Sequence, residues 1–146
     1  MTNNKKFVWN ESYGVKVHVL DEQHKKFFDI ANQLSDLLNN PNSSNFKHSL
    51  TLSLIELARY ALNSLCCEEE FLLKNNCKGY EDHLISHDCY REKVKELLRK
   101  ARNDATDFYE LANEVAEFTQ NWIDFHIAYK DKESIDGTVL DKISDI

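Results

Sequence analysis

Two histidines four residues apart, His83 and His87, have the clearest chemical meaning in the sequence. Residues at this spacing lie on one face of an α-helix, one turn apart, so their imidazoles can bind a single metal ion together. A third histidine, His126, ends the segment Trp122-Ile123-Asp124-Phe125-His126 and precedes Asp131 by five residues. This pattern predicts a metal site made of nitrogen and oxygen ligands.

Two further candidate ligands lie upstream. His24 follows Asp21-Glu22-Gln23, and Glu68 begins the acidic triplet that ends at Glu70. Buried polar groups of this kind are costly without partners, and a shared metal ion would satisfy them together. Imidazole and carboxylate ligands without a thiolate favour iron over magnesium or structural zinc, and carboxylates can bridge two ions. Because no histidine has a glutamate three residues before it, the chain departs from the Glu-x-x-His type of di-iron bundle.

The elements that must position these ligands are predicted to be long helices. The chain of 146 residues contains only three glycines and one proline, which disfavours a turn-rich β fold. Apolar stripes at helical spacing predict four helices, near residues 21–39, 46–74, 80–101 and 107–130. The predicted fold is all-α, an antiparallel up-down-up-down four-helix bundle in one domain, residues 1–146. That domain divides into an extended N-terminal arm (1–20), the bundle (21–131) and a C-terminal tail (132–146).

Several local expectations follow from this division. Val15, Val17 and Val19 alternate with polar residues, which predicts extended backbone up to Leu20, and Asp21 is the expected N-cap of the first helix. The tail after Asp131 is expected to pack as a short terminal helix. With alternating helix directions, His24, Glu68, His83 with His87, and His126 all fall at one end of the bundle. Asp131 lies about 140° from His126 on an ideal helix, so it can join them only if the fourth helix ends or widens there.

Composition excludes several classes of function. The formal net charge of −7 argues against a nucleic-acid partner, which would require clustered Lys and Arg. No apolar run approaches the roughly 20 residues that span a bilayer, and no apolar signal core follows the polar N-terminus. A cytoplasmic location is therefore expected. The four cysteines, which lack C-x-x-C spacing, are expected to be small semi-buried side chains: Cys66, Cys67, Cys77 and Cys89.

The order of these motifs resembles the hemerythrins, specifically the stand-alone bacterial hemerythrin-like proteins. The resemblance runs from Trp9 to Asp131. The family's aspartate-x-Gln-His entry corresponds to Asp21-Glu22-Gln23-His24, its His-x-x-x-His to His83 and His87, and its Trp-x-x-x-His-Ile-x-x-x-Asp to Trp122, His126-Ile127 and Asp131. Its His-Phe-x-x-Glu-Glu motif falls on Ser64-Leu65-Cys66-Cys67-Glu68-Glu69.

The resemblance implies a non-haem di-iron centre, oxo- or hydroxo-bridged, that reversibly binds dioxygen and also admits small anions. It implies that one iron is held by His83, His87 and His126. The other iron would be held by His24 and the residue at position 64. Glu68 and Asp131 would bridge the two, and Trp122 would line the oxygen pocket.

The departure from the family lies at Ser64 and Leu65, where the family has His and Phe. A serine hydroxyl is shorter than imidazole and is a poor iron ligand. Water or hydroxide, Glu69 or Cys67 could fill the position instead. The sequence therefore indicates a dioxygen-binding protein for storage, delivery or sensing, with an altered site. The alternatives are a di-iron oxidoreductase acting on peroxide or ferrous iron, since open coordination is what metal catalysis requires, and a regulatory bundle with a degenerate site.

Overall fold

The computed structural model describes residues 6–135, and every long element in this part of the chain is helical. Helix α1 spans His18–Leu38 and α3 spans Tyr80–Ala101. Helix α2 covers residues 46–74, with a π-helical segment, Ala61–Leu65, between the α-helical stretches Phe46–Tyr60 and Cys66–Lys74. Helix α4 covers residues 108–135, with Phe108–Asn121 and Asp131–Ile135 on either side of the π-helical segment Trp122–Lys130.

The four helices form the predicted antiparallel bundle. Each packs mainly against two neighbours, α1 against α2 and α4, and α3 against the same two helices. The residues that these helices bury repeat at three- and four-residue intervals, as in Leu50, Leu54 and Leu57 of α2. This spacing places one apolar stripe per helix on the bundle axis, which explains why the sequence pattern predicted the fold correctly.

The first helix begins three residues earlier than expected. His18 is already helical, and the residue before it, Val17, provides no side-chain cap. Asp21, the expected N-cap, lies inside the helix, and its carboxylate accepts a hydrogen bond from the Val15 amide at 2.9 Å. The alternation of valines therefore predicted the wrong conformation for Val19, which lies within α1 and is exposed.

The N-terminal arm packs along the bundle as expected, although it is not extended throughout. A 3₁₀ turn, Glu11–Tyr13, interrupts its described part, which begins at residue 6. Three of its aromatic rings, from Phe7, Trp9 and Tyr13, surround Phe28 of α1 with ring centroids 4.7–5.7 Å away. The Asn32 side chain pairs with both backbone polar groups of Phe7 at 2.8 Å, which fixes the arm against α1.

One aromatic ring from each helix forms a layer across the bundle. This aromatic layer consists of Phe27, Tyr60, Tyr90 and Trp122. Successive rings in it lie 4.7 Å (Phe27 to Tyr60), 5.6 Å (Tyr60 to Tyr90) and 4.7 Å (Tyr90 to Trp122) apart. Contacts of this kind fix ring orientation in addition to burying area.

A small apolar cluster closes the end of the bundle beyond this layer. This end cluster is formed by Val15, Leu20, Leu72, Cys77 and Ile135. On every helix the candidate ligands fall between the aromatic layer and the end cluster. In α1, for example, His24 lies between Leu20 and Phe27. The candidate site is therefore enclosed by apolar side chains on both sides along the bundle axis.

Two further expectations concern the cysteines and the membrane. Cys77 is buried and Cys67 half-buried, whereas Cys66 and Cys89 are exposed, and none of the four is disulfide-bonded. The expectation of semi-buried cysteines is thus wrong for two of them. Within residues 6–135, no helix combines the length and apolarity needed to cross a bilayer. The terminal helix expected after Asp131 falls largely on residues 136–146, outside the described part of the chain.

Candidate metal centre

All six residues expected to act as ligands meet at one end of the bundle. Five of them offer one ligand atom each within 4.8 Å of one another: Glu68, His83, His87, His126 and Asp131. His24 joins from α1, with its Nε2 atom 3.3 Å from Glu68 and 3.1 Å from Asp131. None of the six is more than 3% exposed. The alternation of helix direction explains this convergence, as expected from the sequence.

The carboxylates of Glu68 and Asp131 each have one oxygen near His24 and the other near the remaining histidines. Oε1 of Glu68 lies 2.6 Å from His83 and 2.9 Å from His87, while Oε2 lies 3.3 Å from His24. Oδ1 of Asp131 lies 2.7 Å from His83 and 3.0 Å from His126, while Oδ2 lies 3.1 Å from His24. One oxygen of each carboxylate thus faces the three-histidine side, and the other faces His24.

The π-helical segment of α4 brings Asp131 to the site. An α-helix would place Asp131 well away from His126, but a π-helix takes more residues per turn, so a residue five positions on lies nearly above. The same widening turns Tyr129 outwards, where it is 68% exposed. Three-residue spacing after His126 would put Tyr129 near the inward face of a regular α-helix, and the π-helical segment changes that relation.

Three of the four histidines have a partner at the ring nitrogen that points away from the site. Nδ1 of His83 lies 3.0 Å from the Ser134 hydroxyl, and Nδ1 of His126 lies 2.9 Å from the Ser86 hydroxyl. Nδ1 of His87 lies 2.6 Å from Glu69, which Arg91 holds at 2.7 Å. Such partners fix the ring orientation and tautomer of a metal-binding histidine. By contrast, Nδ1 of His24 is buried without a hydrogen-bond partner among residues 6–135.

These outer partners were not predicted. Glu69 and Ser86 adjoin candidate ligands in the sequence, and Ser134 lies three residues after Asp131. Their contacts cross between helices, however, and depend on how far each helix is rotated about its axis. A histidine-rich pattern gives no information on that rotation, so only the adjacency of Glu69 and Ser86 to ligands could have suggested them.

The charges at the site are strongly coupled. Burial alone would lower the pKa of His24, but contacts with Asp131 and Glu68 raise it to about 10. The pKa of His83 rises to about 9 for the same reasons. Burial and the charge of Glu68 act to raise the pKa of Asp131, yet the surrounding histidines lower it to about 2. Two buried carboxylates thus stay ionised next to four imidazoles, and the site as a whole favours cations.

The donor set fits a metal better than a proton network. Nε2 of His87 and Nε2 of His126 face each other at 3.2 Å, an arrangement that requires a proton or a cation between them. Both oxygens of Asp131 lie close to imidazole nitrogens, yet neither makes a contact with hydrogen-bond geometry among the described residues. A buried carboxylate of this kind is well suited to bind a cation. Nitrogen and oxygen donors without sulfur suit iron.

Position 64, where serine stands in place of the family's histidine, lies inside the bundle. Ser64 is in the π-helical segment of α2, faces the interior and is 9% exposed, and its hydroxyl has no hydrogen-bond partner within residues 6–135. Leu65, next to it, is fully buried in the main core. Glu69 is already held by His87 and Arg91. Cys67 packs on the end cluster. Neither is free to replace the missing histidine without breaking these contacts.

A surface cavity of about 740 Å³ lies between α3 and α4 beside the three-histidine side. Its lining includes Trp122, His126 and the outer partner Ser86, together with the exposed rings of Phe125 and Tyr129. Trp122 and His126 stack almost in parallel, at an interplanar angle of 9° and a centroid distance of 3.8 Å. Because His126 is only 3% exposed, this stacked pair forms the wall between the cavity and the site.

Comparison with known proteins agrees with this geometry. The family model described as the hemerythrin HHE cation binding domain matches residues 15–134. The bacteriohemerythrin of Clostridium acetobutylicum is 31% identical over 130 residues, covering 89% of this chain and 99% of that protein. A hemerythrin polypeptide of Sipunculus nudus is 31% identical over 121 residues, covering 83% and 84%. No solved structure matches the chain significantly. The chain therefore belongs to the hemerythrins, the family of four-helix proteins that hold two iron ions and bind dioxygen.

Proposed function

We propose that this protein binds dioxygen at a di-iron centre, for storage, delivery or sensing, and that its centre has two unequal halves. The observation that carries the proposal is the division of both carboxylates between a three-histidine side and His24. A bridging carboxylate must present one oxygen to each of two ions. Glu68 and Asp131 are arranged in this way, 2.6–3.3 Å from the imidazole nitrogens that they face.

The same geometry supports a ligand assignment. His83, His87 and His126 would hold the first iron and His24 the second, with Glu68 and Asp131 contributing to both. When bound, the irons supply the electrons for reversible dioxygen binding. The chain's own residues hold and orient the ions, and the aromatic layer and end cluster exclude bulk water from the ends of the site.

The two halves are expected to differ in how tightly they hold metal. On the three-histidine side every ring is oriented by an outer partner. On the other side, Ser64 supplies no imidazole and Nδ1 of His24 has no partner within residues 6–135. We infer that water or hydroxide fills the position that Ser64 leaves open, since Glu69 and Cys67 are engaged elsewhere. The second iron is then the more labile of the two.

The test is the number of irons per chain together with the visible spectrum, recorded through cycles of oxygen and anaerobic exchange. Two irons and a colour change that reverses when oxygen is removed support the proposal. One iron or none, after anaerobic loading with excess ferrous iron, indicates a regulatory bundle with a degenerate site instead.

The alternative is an oxidoreductase acting on peroxide or ferrous iron. Ser64 favours it, because replacing a protein nitrogen with solvent leaves an additional exchangeable position at the metal. Irreversible oxidation of the loaded protein, with turnover of added peroxide, would identify this alternative. A cytoplasmic location remains a prediction.

A further inference from the structure

The hydroxyl of Tyr60 is the feature of the molecule that the proposed function leaves unexplained. Tyr60 belongs to the aromatic layer, is 6% exposed and lies one turn before Ser64 on the inward face of α2. Its ring is fixed by Phe27 at 4.7 Å and Tyr90 at 5.6 Å. The ring is therefore held in place, with its hydroxyl beside the Trp122 indole.

The two tyrosine hydroxyls of the aromatic layer, Tyr60 and Tyr90, differ in their hydrogen bonds. The Trp122 indole donates to the Tyr60 hydroxyl oxygen at 3.5 Å, while the Tyr90 hydroxyl donates to the Leu57 carbonyl at 2.8 Å. The hydroxyl proton of Tyr90 therefore has an acceptor within the protein. Tyr60 accepts a hydrogen bond but has no acceptor for its own proton among residues 6–135. A buried donor left in this state is costly, so an acceptor is needed.

The environment of Tyr60 keeps it a donor. Burial, followed by the charges of Glu68 and Asp131, holds the pKa of Tyr60 well above its usual value, so the phenol stays protonated. The two carboxylates that influence it are the ones that face His24. Ser64, next along the helix, also has an unpartnered hydroxyl among the described residues and fills less space than the imidazole that the family has there. Tyr60 and Ser64 thus lie one turn apart on the inward face of α2, where an imidazole at position 64 would extend further into the interior than serine does.

We propose that Tyr60 and Ser64 together bind a compact guest that carries a hydrogen-bond acceptor, such as water, hydroxide or a small inorganic anion. The Tyr60 hydroxyl donates to this guest, and the missing imidazole provides the space for it. This inference rests on the proposed di-iron function, since a metal ion held by His24 would attract such a guest. Tyr60 then determines specificity, because it favours guests with an acceptor atom on the side of the aromatic layer.

The test uses azide as the probe and compares Tyr60→Phe with Tyr90→Phe. Both variants remove one buried phenol oxygen from the same layer, but only Tyr60 lacks an acceptor among the described residues. Azide is titrated into the ferric protein, after the iron content of each variant has been measured, and its visible charge-transfer band is followed. Loss of one hydrogen bond to a charged guest should weaken azide binding roughly tenfold in Tyr60→Phe and leave Tyr90→Phe close to the parent.

Equal azide affinity in Tyr60→Phe and the parent, at equal iron content, would overturn the inference while leaving the di-iron function intact. A parent that takes up no iron would overturn both. A second measurement does not depend on azide. A high-resolution crystal structure of the parent should contain a solvent or anion atom within hydrogen-bond distance of both Tyr60 Oη and Ser64 Oγ, and an empty volume there would also contradict the inference.

Discussion

At the scale of single residues, the two sides of the centre differ in how completely each ligand is supported. His83, His87 and His126 each have an outer partner, whereas His24 has none within residues 6–135 and Ser64 cannot replace an imidazole. Loss of such a partner typically lowers metal affinity by roughly 10- to 100-fold. The consequences can be tested one side chain at a time.

Changing Ser64 to His should make the His24 half of the centre hold iron more tightly, as the three-histidine half is expected to do. The new imidazole would enter the space beside His24 and slow release of the second iron to a chelator about tenfold or more. Release of the first iron should stay unchanged. The measurement is the two-phase time course of chelator-bound iron in parent and Ser64→His. If the rates of the two proteins coincide, position 64 does not face the metal.

Glu69, the outer partner of His87, should strengthen metal binding on the three-histidine side. Glu69→Gln keeps the shape of the side chain but removes the negative charge that faces Nδ1 of His87. Metal affinity at this half should fall roughly tenfold. Glu70→Gln is the matched control, since Glu70 is the exposed neighbour in the same acidic triplet. A competition titration with a metal-binding dye compares the two variants, and an equal effect in both would assign the change to net charge alone.

At the scale of helices, the π-helical segments determine which residues reach the interior. The stripes of α1, of α3 and of the first stretch of α2, Phe46–Tyr60, could be predicted because regular α-helices repeat as the pattern assumes. For the end of α4, the sequence predicted only that Asp131 would join the site if the helix ended or widened there. The widening of its π-helical segment leaves no mark in the residue types, and the contacts of Asp131 with His24, His83 and His126 that accompany it join different helices.

The widened turn leads to a deletion experiment. Removing the exposed residue Tyr129 would place Asp131 four residues after His126, so a regular α-helix would bring both to the same face. The iron content of this variant should stay close to that of the parent. Removing the exposed residue Glu117, which precedes the π-helical segment, would instead rotate all later ligands by about 100° and should abolish iron binding. Equal loss in both deletions would mean that the widening does not position Asp131.

At the scale of the whole molecule, the metal-free protein should be stabilised by its own site over a limited pH range. The pKa of His24 is about 10 when folded against an ordinary value of 6.5, so its contribution is complete below 6.5 and is lost as pH rises towards 10. The pKa of Asp131 is about 2 against 3.8, so its contribution is complete above 3.8 and is lost as pH falls towards 2.

The urea midpoint of the metal-free protein should therefore be highest between pH 3.8 and 6.5. Metal requires neutral imidazoles, so the iron-loaded protein should not show the alkaline decline, and iron uptake near pH 8 should release protons. Urea titrations of both forms across pH, with proton release followed by a dye, measure this. An alkaline decline of equal size in both forms would contradict the coupling.

The stacking of Trp122 on His126 gives the protein an optical signal for its own loading. An indole 3.8 Å from a ring that we propose as an iron ligand should lose its fluorescence when the ion enters, because the metal complex accepts the excitation energy. The other tryptophan, Trp9, lies in the arm against Tyr13 and against Phe28 of α1, and it contributes a background. In Trp9→Phe, emission would come from Trp122 alone, so its quenching would measure occupancy of the three-histidine half during loading, without added dye.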